Sequence, residues 1–151
     1  MSTEISDLLE RAVPPVAGLV AGVRDEQLTA ATPCAEFRVR DLLNHLFLVV
    51  RNFRLAAGRA PVDWSVTPDA LSDGWRQTFA GDAYALIGAW SPPGVLDGVS
   101  PGMGLPQRTL GLMLVADLVV HGWDLAQATG RPYQVDETLQ AATAEFLDLM
   151  G

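Results

Sequence analysis

The chain holds two histidines, His45 and His121, and each lies in the middle of an apolar stretch with helical spacing. An imidazole in such a place needs a partner for both ring nitrogens, because a buried polar atom without a hydrogen bond costs free energy. His121 has acids on both sides. Asp117, His121 and Asp124 stand at i, i+4 and i+7, which at ~100° per residue puts all three within about 60° of arc on one helical face. The other residues of that face are Leu110, Met113, Leu114 and Ala128, so two carboxylates and an imidazole point into hydrophobic surroundings. There is also a local echo: Asp41-Leu-Leu-Asn-His45 has the same Asp, three residues, His pattern as Asp117-Leu-Val-Val-His121.

Two arrangements satisfy these groups. In one, His45 arrives from a different helix and joins Asp117 and His121 around a divalent metal ion. Two imidazoles and one carboxylate leave a coordination position open, which separates a catalytic zinc site from a closed structural one. The i, i+4 spacing is what allows one helix to donate two ligands. Zinc leads for such a set, and Fe(II) or Ni(II) also suit it. In the other arrangement the same side chains form a hydrogen-bonded His and Asp network lining the core, with no metal. Asp124, one turn beyond His121, fits a catalytic base or a residue that orients His121, and equally a surface carboxylate with a local hydrogen bond. Asp41 reads as a first-turn acid that complements the helix dipole. Cys34, ahead of a helix start, reads as packed or inert.

The elements that must carry these residues are helices. A first is expected over 3–23 behind Ser2 and Thr3, with Ile5, Leu8, Leu9, Val16, Leu19 and Val20 on one stripe. Pro14 and Pro15 are expected to kink or interrupt it. Residues 25–37 read as a loop, 39–57 as a second helix stopped by Gly58, and 68–90 as a third, capped by Thr67 with Pro68 in its first turn. The Pro- and Gly-rich stretch 91–107 is a long loop with room for a short hairpin, and the chemistry assigns it the role of a lid over the open coordination position. A fourth helix over 106–129 ends at Gly130, and a fifth runs from Asp136 to the chain end. No segment shows sustained period-two alternation. The expected fold is therefore a single all-α domain over 1–151, an up-and-down four-helix bundle with a possible additional C-terminal helix. Trp75, Trp90 and Trp123 are expected to fill its core.

Composition narrows the partners. Eighteen acids against ten scattered arginines give a net charge of -8, which excludes binding to nucleic acid by phosphate neutralisation. The first ten residues lack the cationic start of a signal peptide. The apolar run 110–120 is broken by Asp117 and is too short to cross a bilayer. A single cysteine forms no internal disulfide, so a cytoplasmic protein without membrane contact is expected.

Two blocks carry a resemblance. Thr32-Pro33-Cys34-Ala-Glu-Phe-Arg-Val39-Arg-Asp41-Leu-Leu-Asn-His45-Leu, and later Asp117-Leu-Val-Val-His121-Gly-Trp123-Asp124-Leu-Ala, resemble the signature blocks of the DinB-like metal-binding proteins. The nearest branch is the one related to the metal-binding domain of mycothiol-dependent maleylpyruvate isomerase. The resemblance implies a four-helix bundle, often dimeric, in which three residues bind a divalent metal usually taken as zinc. His45 matches the first ligand, and Asp117 and His121 match the pair spaced i, i+4. The family's second ligand is commonly Glu or His, and Asp117 is shorter. The isomerase carries a further C-terminal domain that helps form its substrate site, so isomerase activity itself is not expected of a chain that stops at Gly151.

The functional expectation is a metal-dependent enzyme that uses a metal-activated thiol or water, as a thiol transferase, a thiol-assisted isomerase or a hydrolase. By the resemblance, mycothiol is the candidate thiol, and the partner is a small-molecule substrate or a low-molecular-weight thiol. The competing readings are a non-catalytic metal-binding module and a plain dimerisation domain. A homodimer is expected, because Leu112, Val115, Ala116, Leu118, Val119, Trp123 and Ala126 make the fourth helix apolar nearly all the way round.

Overall fold

The computed structural model describes residues 2–151. Five α-helices run in chain order, and no extended strand occurs among the described residues. Helix α1 spans Glu4–Ala21 and opens on a capping box in which the Thr3 side chain accepts from the Ser6 amide. Pro14 and Pro15, expected to kink or interrupt it, do not interrupt it. Both prolines are exposed, as are Glu10 and Arg11, whose carbonyls lose their amide donors, so water takes the place of the missing bonds.

Helix α2 spans Val39–Ala57, with Leu42, Leu46, Val49, Val50 and Phe53 all buried on the predicted face. Asp41 lies in the first turn, where a carboxylate complements the helix dipole, and it also accepts a hydrogen bond from the Arg38 amide at 2.9 Å. Helix α3 spans Trp75–Ala89 and begins seven residues later than expected. Two features hold 68–74 out of the helix: Asn44 Oδ1 accepts from the Ala70 amide at 2.9 Å, and Gly74 takes a left-handed φ of 75°. Helix α4 spans Gln107–Thr129 and stops at Gly130 in the left-handed region, as its sequence predicts. Helix α5 spans Glu137–Met150, with Asp136 Oδ1 accepting from the Leu139 amide at 2.9 Å.

α1 packs against α3 and α4, and α2 packs against the same two, so the four form a ring in the order α1, α3, α2, α4. α5 lies outside the ring on α4 and the edge of α1. This is a four-helix bundle with an added C-terminal helix. The contacts fix the directions. Thr3 Oγ1 donates to the Trp90 carbonyl, which sets the start of α1 beside the end of α3. Gln107 Nε2 donates to the Ala56 carbonyl, which sets the start of α4 beside the end of α2. Arg108 pairs with Glu4, so α1 and α4 run parallel. α2 and α3 therefore also run parallel: the four-helix bundle is as expected, but its middle connection is a long crossover and not an up-and-down turn, because 58–74 returns along α2, pinned to it by the donation of Asn52 Nδ2 to the Asp63 carbonyl and by the Asn44 contact. The loops 91–106 and 58–60 share one end of the bundle, called here the lower end, and 22–38 and 130–136 share the upper end.

Helix α4 is long and apolar enough, by length and composition, to cross a membrane, and 72% of its most apolar window is buried inside this bundle. The run 110–120 lies within this helix, which matches the expected 106–129, and it is the whole helix and not the run alone that is long enough. The residues that predicted a second subunit are mostly covered within one chain: Leu112, Val115 and Leu118 are fully buried, and α5 supplies part of that cover. Trp75 and Trp90 are in the core as expected. Trp123 is not, being 47% exposed.

Candidate metal centre

His45 sits in the second turn of α2 and His121 sits past the middle of α4, two helices that pack side by side in opposite directions. That packing brings the two imidazoles together edge to face, with ring centroids 4.7 Å apart and planes 74° apart. Phe37, at the end of the 22–38 loop, closes over His45 at 5.6 Å. Asp124 Oδ2 stands 3.4 Å from His121 Nδ1. That is beyond good hydrogen-bond reach, and among the described residues His121 Nδ1 is a buried nitrogen without a partner. Asp124 is 8% exposed, so it faces inward rather than solvent.

Burial governs the titration of this cluster. His45 is held below its ordinary range, first by desolvation and then by the neighbouring His121. Asp117 is pushed above the ordinary carboxylate range by desolvation, against a weaker opposing pull from His121. Tyr133, from the upper-end loop, is pushed up by burial to about 12. A Cβ on Gly122 would lie 2.9 Å from Tyr133 Oη, so glycine beside His121 lets the tyrosine pack onto α4. Phe37, which lies within the first signature block, did not stand out in the sequence as part of the site, and Tyr133 packs against Gly122 and Val16 rather than on the histidines.

Of the predicted residues, the structure joins His45 with His121 and sets Asp124 nearest to His121. Asp117 lies one turn before His121 on α4, where i and i+4 side chains share a face. Among the described residues, no three His, Cys, Asp or Glu side chains gather around one point. The donors nonetheless fit a divalent ion in kind, since a buried imidazole nitrogen is orphaned beside a second imidazole and a desolvated carboxylate is one turn away.

The loop 91–107 does not serve as a lid. Its turn closes on itself through Ser100 and Leu105, Arg59 Nη2 donates to the Gly94 and Asp97 carbonyls, and Gln107 Nε2 donates to the Val95 carbonyl. All of these are at the lower end. His121 lies fourteen residues into α4 from there, about 20 Å at 1.5 Å per residue. The segments beside the histidines are 22–38 and 130–136. Cys34, in the first of these, is half-buried, and its carbonyl accepts from Thr32 Oγ1 at 2.8 Å.

The family model described as the mycothiol maleylpyruvate isomerase N-terminal domain matches residues 9–126. Two uncharacterized proteins of Mycobacterium tuberculosis, from strains CDC 1551 / Oshkosh and ATCC 25618 / H37Rv, are each 34% identical to the chain over 137 residues, covering 86% of it and 70% of their own length. No solved structure matches the chain.

Proposed function

Because the chain belongs to the family of the mycothiol maleylpyruvate isomerase N-terminal domain, we propose that His45, Asp117 and His121 hold one divalent metal ion, zinc first and Ni(II) or Fe(II) next, in a cytoplasmic enzyme. The observation that carries this is the 4.7 Å imidazole pair from two helices, one of whose nitrogens is buried without a partner. The burial that keeps His45 below its ordinary range also keeps its ring neutral at neutral pH, the form in which imidazole ligates. Asp117 pays a desolvation cost that an adjacent cation would remove. A divalent ion at this place supplies one chemistry, lowering the pKa of a bound thiol or water so that a nucleophile exists near neutral pH. In this reading Asp124, 3.4 Å from His121 Nδ1, would take the proton or fix the His121 ring on closing that gap.

The reaction class is thiol transfer, thiol-assisted isomerisation or hydrolysis, with a low-molecular-weight thiol such as mycothiol as co-substrate. Elemental analysis of the purified protein beside His45→Ala and His121→Ala tests the site. About one ion per wild-type chain and none in either variant is expected, and equal content in all three overturns the proposal. If metal is present but small thiols leave the spectrum of the Co(II)-substituted protein unchanged, the thiol chemistry fails and hydrolysis by a metal-activated water is the reaction that remains. A homodimer is part of this reading. It rests on Val120 and Trp123 of α4, which stay 48% and 47% exposed beside α5. A monomer mass by light scattering at micromolar concentration would remove it.

A further inference from the structure

The returning segment 58–74 does not lie flush on α2. Between them, with α3 as the third wall, is a cleft of about 600 Å³, within the range of small-molecule sites. It is independent of the histidine pair: Phe47, on its wall, follows His45 by two residues, about 200° further round α2. The lining is mostly apolar, from Phe47, Val50, Leu55, Pro68 and Ala70. The far wall is fixed before any ligand arrives, since Asn44 accepts from the Ala70 amide and Asn52 donates to the Asp63 carbonyl.

Two arginines, Arg51 and Arg54, line this cleft with one acidic residue, Asp82. They are three residues apart on α2 and so share a face. Among the described residues neither forms an ion pair, whereas Arg11, Arg24, Arg76 and Arg108 each do. Asp63 feels the charge of Arg51, but its carboxylate is engaged by the Ser65 amide and hydroxyl. On a chain of net charge -8, two unpaired arginines in one apolar cleft are a local reversal of sign. A planar guanidinium fork suits a carboxylate in particular.

We infer that this cleft binds a small organic carboxylate with an apolar body, the carboxylate on Arg51 and Arg54 and the body against Phe47, Val50 and Pro68. Decanoate below its micelle concentration is the probe, titrated into the full chain by calorimetry, with decanol as the uncharged control. Saturable decanoate binding at least tenfold tighter than decanol is expected, and the double variant Arg51→Gln/Arg54→Gln should bring the two to parity. Both arginines are exposed, so circular dichroism of that variant should match the wild type. His45→Ala should bind decanoate as the wild type does, which keeps this site's outcome separate from that of the metal. Equal binding of decanoate and decanol by the wild type, or undiminished decanoate binding by the double variant, overturns the inference.

Discussion

Helix α4 carries a polar side chain with a buried, unpartnered atom near each end of the bundle, and the two are used differently. Gln107, at the lower end, donates from Nε2 to the Ala56 and Val95 carbonyls, both at 3.2 Å, and so ties the 91–106 loop to the end of α2. His121, nearer the upper end, ties nothing: its Nδ1 is buried without a partner, and it faces another imidazole. Gln107 also leaves one atom orphaned, Oε1, so an orphan alone does not mark a site. The distinction is the company. Around Gln107 the polar neighbours are backbone carbonyls that its amide satisfies, and around His121 they are titratable side chains whose protonation burial has shifted. One end of the helix is a clip, and the other carries the side chains of the metal site proposed above.

The largest expected effect comes from breaking the clip. Gln107→Ala removes two buried hydrogen bonds and opens a cavity, which should cost about 3–4 kcal/mol in urea unfolding and leave the metal content as in the wild type. A variant that lost its metal as well would show that the two ends are not independent. Next is the ligand itself. Zinc at about a hundredfold above its dissociation constant should stabilise the wild type by about 2.7 kcal/mol, and Gln107→Ala by the same increment. His121→Ala should gain nothing, and a zinc-induced rise in its Tm would remove His121 from the site.

How far this comparison was legible in the sequence depends on what each residue's neighbours are. Helix α2 was readable over its whole length because its apolar stripe is phased and Gly58 follows it. The start of α3 was not, because the bond from the Ala70 amide to Asn44 competes with the helix and comes from twenty-six residues away. The exposure of Trp123 was hidden for another reason: α4 is apolar on every side, so nothing in its pattern distinguishes the face under α5 from the face left open. The approach of His45 to His121 was anticipated from residue type alone. That the loop 91–107 lies at the far end follows only from the helix directions, and spacing along the chain does not give those.

The smallest effect concerns exposed charge at the lower end. Arg108 bridges Glu4 of α1 and Glu145 of α5 at 2.7 and 2.6 Å. The Glu4 carboxyl is held below its ordinary range chiefly by the hydrogen bond from Arg108. A carboxyl depressed in the folded state adds stability above its unfolded pKa, and that stability is lost as pH falls through the folded value. All three side chains are more than a third exposed, so solvent screening limits the network to about 1 kcal/mol. Arg108→Gln should therefore be less stable than the wild type by about that much near pH 7, and the gap should close as both are taken to about pH 3. Added salt at neutral pH should narrow it too. If the gap persists in acid, Arg108 stabilises the bundle through the packing of its aliphatic stem, and the lower end owes nothing to these charges.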